Sequence, residues 1–306
     1  MASWSKYGVG KKLARRLTLW RERWDRSFSW KVRWRLKHDR NPLLTTVQDK
    51  LRVKDYARAR GVEPVETLYV TGAPESIPFD DLPERYFIKA NHGCGWNIAC
   101  IDGILYRYGD GRHYVDSNGG PARPEAVAEF RLSREECIAL CKDWLGRKYL
   151  RKEWAYQGIQ PAIVVEAAVA QRGGGIFRVY RLFTMAGTVR AIAVGGPLFA
   201  LTDADNLFFD RDWQPFRLTR TEIPIDHESP RDRPDSLADL VAAAERLGRG
   251  LDFVRVDLYD TPEGVRLGEM TVYPYGGLPG KPSTCRVFNK WLGGQWVLPA
   301  RAPTSG

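Results

Sequence analysis

The sequence predicts an α+β fold. Three pairs of short apolar or alternating runs, each pair joined by a turn, read as antiparallel hairpins: YFIKANH with NIACIDG, FRVYRLFTMAG with TVRAIAVGG, and the stretch from Phe253 to Pro274. Helical patterns stand beside them, the clearest being the amphipathic run from Ser236 to Gly248. With 306 residues and 43% hydrophobic composition, the chain can bury a substantial core in one large domain or two smaller ones.

Leu13, Leu17, Trp20, Trp24 and Phe28, at steps of three and four, predict a helix over 10–28. Trp30, Val32, Trp34 and Leu36 then alternate with Lys31, Arg33, Arg35 and Lys37, which fits a strand locally or a continued helix. Thr45 or Thr46 is placed to cap a helix through DKLRVKDYARARG that ends at Gly61. The strands of the first hairpin flank a glycine-containing turn, and residues 107–126, rich in Gly, Asp, Asn and Pro, read as a long loop. Ser133 with Glu136 forms a capping box for a helix ending near Gly146. PAIVVEAAV reads as a buried strand, DHESPRDRPDS as a polar linker, and GGLPGKP as a loop near the end.

Composition removes several function classes. Five Cys occur with no CxxC pair, so neither a zinc site nor a disulfide framework is expected, and a reducing cytoplasm fits. No apolar run reaches the 18 or so residues that span a bilayer. The N-terminus has no apolar core of the secretory-signal kind. Residues 1–40 hold 13 Lys/Arg against 3 Asp/Glu, whereas the other 266 residues hold 34 of each. The net charge of +10 therefore belongs to one segment, which also carries Trp4, Trp20, Trp24, Trp30 and Trp34.

Four stretches carry candidate chemistry. In the last hairpin, alternation puts Arg255 and Asp257 on one face of a strand and Glu269 and Thr271 on one face of its return. A turn near Asp260 to Gly264 sets Arg255 near Glu269 and Asp257 near Leu267. Paired carboxylates suit Mg²⁺, and a structural Arg–Glu cross-strand pair suits the same residues. In FIKANHGCGWN a strand delivers Lys89 to a turn with Gly93 and Gly95, where small residues let backbone N–H groups approach phosphate. This is no Walker loop, and a plain hairpin turn fits it as well. Lys50 lies on a basic helix whose alternative is a solvated face. Glu166 ends an apolar strand: either the short non-polar connection that follows offers backbone groups to an adenine ring, or the acid simply faces solvent.

The order of these pieces, with KEWAYQGIQPAIVVE, YRLFTMAG, FFDRDWQPF, FVRVDLY and GEMTVYP, resembles the ATP-grasp superfamily over about residues 45–285. Within it the chain looks closest to the TupA-like branch, named for a teichuronopeptide biosynthesis protein. The resemblance implies two α+β lobes gripping ATP between them. It implies a basic Trp-rich N-terminal segment (1–43), an N-terminal part with the first lobe (44–165), and a second lobe with the metal site (166–300).

What the family's residues do carries over by position. Lys50 and Lys89 match lysines that contact phosphate, and Gly93 and Gly95 match the glycine-rich loop that closes over it. Glu166, Ala167, Ala168 and Val169 match the hinge that holds adenine, and Arg181 matches a basic position on phosphate. Asp257 and Glu269 match the acids that bind Mg²⁺. Arg255 matches the arginine that faces the reacting acyl group, and it is named catalytic together with Lys89. Thr271 stands where many members have a metal-binding Asn, and Cys94 where relatives have Ser.

The implied function is ATP-dependent carboxylate–amine ligation through an acyl phosphate. By the branch's association, an amino acid or peptide is joined to a sugar acid in cell-surface polysaccharide biosynthesis. The alternatives are a kinase of the same fold and, from residues 1–40, a protein that binds an anionic membrane surface at the inner face or nucleic acid. Packing of Leu13, Leu17, Trp20 and Trp24 on the body ranks first for that segment, the membrane second. Nucleic acid ranks last, since no reading motif and no basic groove is present elsewhere.

Overall fold

The computed structural model describes residues 6–108, 130–173, 178–195, 207–216, 233–279 and 285–299, with side chains from residue 16 onward except at Tyr108 and Leu207. Most of the expected loop 107–126, most of the polar linker and the end of GGLPGKP lie outside these residues.

The N-terminal segment folds as two helices. Helix α1 (Lys6–Asp25) stops at Arg26, whose φ is 48°. Ser27 then caps α2 (Phe28–His38) by accepting the Trp30 N–H. The single helix expected over 10–28 is therefore broken, and the alternating Trp30–Lys37 stretch is helical. The reason lies in the burial: Phe28, Lys31, Val32 and Arg35 form the inward face of α2. Two of these are cations, which no apolar period reveals. Arg35 is fully buried with its guanidinium paired, its two terminal nitrogens hydrogen-bonded and its Nε 3.3 Å from the Asp39 carboxylate without a hydrogen bond. It donates to Phe253 O (2.8 Å) and Val272 O (3.2 Å), pairs with Asp252 and Asp39, and stacks over Trp296. The segment's charge thus belongs partly to the folded body. Its apolar side does not: Leu17, Trp20 and Trp24 are 48%, 64% and 80% exposed. The expected packing of these residues on the body is overturned.

Asn41, rather than Thr45 or Thr46, caps α3 (Pro42–Gln48), with Pro42 at its first turn. The chain breaks at Asp49–Leu51 and resumes as α4 (Arg52–Arg58), which ends before Gly61 at φ 67°. Lys50 sits in this break and not on a helix.

Two antiparallel sheets follow. The first contains β1 (Thr67–Thr71), β2 (Tyr86–Ala90), β3 (Asn97–Ile101), β4 (Ile104–Tyr108), β5 (Arg131–Leu132) and β6 (Ile163–Ala167), in the order β1-β6-β2-β3-β4-β5. Helix α5 (Arg134–Gly146), with its capping box from Ser133, packs Cys137, Cys141 and Trp144 onto this sheet's core. The second contains β7 (Val179–Met185), β8 (Thr188–Gly195), β9 (Leu207–Phe209), β10 (Phe253–Thr261) and β11 (Gly264–Thr271), in the order β11-β10-β7-β8-β9. Its larger core takes in α7 (Leu237–Gly248), α2, α8 (Arg286–Gln295) and residues of α3 and α4, and also Ala155 of α6 (Trp154–Gln157), which lies beside α3. All five cysteines are free.

The last hairpin departs from the expected register. Pro262 and Glu263 make its turn, and a bulge falls between Asp257 and Leu258. Arg255 faces Thr271 and Asp257 faces Glu269, while Leu258 pairs with Leu267. The extra residue is Gly268, where a Cβ would come within 2.6 Å of the Tyr259 ring. The bulge turns Leu267 into the core and sets the two carboxylates directly opposite each other.

Candidate active site

Two charged clusters, one from each sheet, form the site. In the second sheet Arg255 lies between the acids. Its guanidinium donates to both oxygens of Asp257 (2.6 and 2.7 Å), to Glu269 Oε1 (3.0 Å) and to Thr271 Oγ1 (3.1 Å). Arg181, opposite Asp257 on β7, is 3.7 Å from the same carboxylate. The sheet brings all five side chains to one face, because cross-strand partners share a face.

Asp257 is buried, whereas the Glu269 side chain is 43% exposed. Burial pushes the Asp257 carboxyl up against the pull of Arg255. Burial also opposes ionisation of Glu269, but Arg255, Lys50 and Lys89 together hold that carboxyl below its usual range. Lys50 and Lys89 thus act by charge on Glu269 of the other sheet.

In the first sheet Glu166 is the centre. Its Oε2 accepts from Lys89 Nζ at 2.6 Å, and its Oε1 pairs with Lys54 Nζ at 2.6 Å. This side chain is buried and does not face solvent. Burial alone would raise its carboxyl, and the two ammoniums more than reverse that. The sequence reading missed Lys54. It lies four residues after Lys50 in the same basic run, but only the fold shows that it turns inward.

Ala167 and Ala168 spend their N–H groups on Glu66 O and Arg85 O, and Val169 follows just beyond the strand. Lys50, at the helix break, donates to Gly93 O and so ties the break to the glycine turn. Burial lowers its ammonium, partly offset by Glu269. Gly93 is small for a local reason: a Cβ there would sit 2.4 Å from the Trp96 ring. Gly95 holds φ 76°, which favours glycine. His92 is buried, its ring nitrogens at Trp144 O and Asn91 Oδ1, a structural placement. Glu153, just before α6, is buried with its carboxyl pushed up to about 7, and it lies against Gly276 in the turn that follows β11.

The donor set fits a hard divalent cation: two opposed carboxylates and a hydroxyl, all oxygen. Arg255 is the cation that meets those oxygens in this structure.

A sequence profile described as TupA-like ATPgrasp matches residues 30–297. No curated protein matches the chain in sequence. Similar solved structures include the D-alanine–D-alanine ligase from Bacillus anthracis complexed with ATP, at 12% identity over 74% of this chain and 54% of that chain, TM-score 0.37. D-cycloserine synthetase DcsG matches at 17% identity over 82% and 70%, TM-score 0.40. The D-alanine–D-alanine ligase from Helicobacter pylori matches at 11% over 84% and 60%, TM-score 0.42. The chain spans about half the length of the B. anthracis ligase.

Proposed function

Since the chain belongs to the TupA-like ATP-grasp family, we propose that it is an ATP-dependent carboxylate–amine ligase working through an acyl phosphate. The observation that carries this reading is the directly opposed Asp257 and Glu269, with Arg255 between them and Lys50 and Lys89 within electrostatic reach of Glu269. Asp257, Glu269 and Thr271 would hold Mg²⁺, which supplies charge neutralisation for phosphate oxygens. Lys89 and Lys50 orient the phosphates of ATP, and Arg181 adds charge on the facing strand. Phosphoryl transfer asks for such positioning more than for covalent chemistry. Arg255, released from the acids, faces the oxyanion that forms when the amine attacks. A contact of that kind contributes roughly 3–4 kcal/mol.

The branch's association supports an amino acid or peptide as amine donor and a sugar acid as carboxylate, within cell-surface polysaccharide biosynthesis. The test is an acceptor screen read by phosphate release and product mass. ADP formation that needs both a carboxylate and an amine supports ligation. Phosphorylation of a hydroxyl with no amine requirement would make the protein a kinase instead.

A second reading concerns residues 1–40. The exposed Leu17, Trp20 and Trp24, with the two Trp rings stacked 6.3 Å apart, favour contact with an anionic membrane at its inner face. Arg23, Trp30, Arg33, Trp34, Lys37 and His38 line a groove of about 510 Å³ beside them. Among the described residues no helix is long and apolar enough to cross a membrane, so the contact would be peripheral. Deleting residues 1–40 would also remove the buried Phe28 and Arg35, so Trp20→Ser with Trp24→Ser is the cleaner variant. Flotation of this variant with phosphatidylglycerol vesicles as well as the natural chain would rule the membrane out.

A further inference from the structure

Lys54 lies inside the first lobe, on α4, with 5% of its surface exposed. Its ammonium has three protons to donate. They meet Glu166 Oε1 (2.6 Å), Thr67 Oγ1 (2.6 Å) and Val65 O (2.9 Å). These partners fill it, so Lys54 itself has no proton left for a ligand. Lys89 is placed differently. It stands on β2 ahead of the glycine turn, its side chain is 17% exposed, and it acts on Glu269 across the site.

Glu166 stands between the two lysines, one oxygen to each. A carboxylate shared in this way cancels only half of their combined charge. If Lys54 were absent, both oxygens would turn to Lys89, since a buried carboxylate takes whatever cation is near. The Lys89–Glu166 pair would then be neutral and closed.

We infer that Lys54 is a positioning residue for nucleotide binding: it occupies one oxygen of Glu166, so that Glu166 aims Lys89 without neutralising it. One net positive charge then remains on the trio for the phosphates of ATP. This rests on the ATP-grasp reading of the site. It concerns phosphate and not adenine, because Lys54 acts through Lys89, which the ATP-grasp reading sets against phosphate.

The test is calorimetric titration of AMP, ADP and ATP, with Mg²⁺, into the full chain and its Lys54→Met, Lys54→Arg and Lys89→Met variants. The expected result is an ATP affinity about tenfold weaker in Lys54→Met, the scale of one weakened charge-assisted contact. AMP binding should not change, and Lys54→Arg should keep the natural ATP-to-AMP ratio. Lys89→Met should show the same selective loss. The double variant Lys54→Met with Glu166→Gln, in which Lys89 is no longer held by a carboxylate, should recover ATP binding over Lys54→Met.

A Lys54→Met protein that keeps the natural ATP-to-AMP ratio overturns the inference, whether both nucleotides bind normally or both bind more weakly. The second pattern would make Lys54 merely structural. If Lys54→Met does not fold, the ratio in Lys54→Gln decides the matter by the same criterion. A natural chain that binds ATP no better than AMP would overturn the ATP-grasp reading first, and this inference with it.

Discussion

The two lobes meet the site with opposite charge arrangements. In the first, two lysines enclose one carboxylate, Lys54 and Lys89 around Glu166. In the second, two carboxylates enclose one guanidinium, Asp257 and Glu269 around Arg255, with Arg181 at 3.7 Å. Both solve the same problem, since a buried charge needs a partner. Their balances differ, however: the first carries one net positive charge, whereas the second is neutral once Arg181 is counted. A surplus of ammonium suits phosphate oxygens, and opposed carboxylates suit a hard cation that takes the place of the guanidinium. That contrast is what the proposed site for a metal–phosphate complex rests on.

The largest way to break this comparison is on the acid side. Asp257→Asn with Glu269→Gln should cut ATP turnover by about 10³-fold or more, the scale of losing positioned charge at a transition state. Phosphate release measures it, and AMP binding should survive. Arg255→Met comes next, with turnover lower by about 10²-fold. The same variant should bind Mn²⁺ more tightly in a titration without nucleotide, because the guanidinium no longer competes for the acids. Unchanged or weaker Mn²⁺ binding would mean that Arg255 does not occupy the cation's place. On the lysine side, Lys89→Met should weaken ATP binding about tenfold and slightly tighten Mn²⁺ binding, because its charge no longer acts on Glu269.

The smallest effect is on stability and has a sign set by pH. Glu166 is held below its ordinary pKa in the folded chain. Such a group stabilises the fold above its unfolded pKa, and that contribution disappears as pH falls through the folded value. Glu166→Gln should therefore lower the melting temperature at neutral pH, and the deficit should shrink on acidification. A deficit that stays constant down to acid pH would show that packing, not charge, holds Glu166.

Much of this site was legible in the sequence, but unevenly. The alternation in FVRVDLY and GEMT put Arg255, Asp257, Glu269 and Thr271 on shared faces, and the fold keeps them there. Their exact opposition was not legible, because a single glycine can shift the register of a strand. Gly268 does so to accommodate Tyr259. Glu166 was picked out as a strand-end acid, yet its two partners lie 77 and 112 positions away along the chain. No local pattern encodes such a contact. The N-terminal segment misled in both directions. Its apolar period predicted burial of Trp20 and Trp24, which are exposed, and its charge, read as the property of one separate segment, includes Arg35, which is buried in the body.

By itself the sequence determined the α+β class, the three hairpins, the amphipathic helix at Leu237–Gly248 and the capping box at Ser133. These follow from side-chain periods and caps, which act within a few residues of each other. Tertiary structure alone decided which face of α2 turns inward, where Lys54 points, and which acid stands opposite which. Those outcomes depend on partners far apart in the chain and on the cost of leaving a buried charge unmet. Periodicity describes the faces of one element; packing chooses among them.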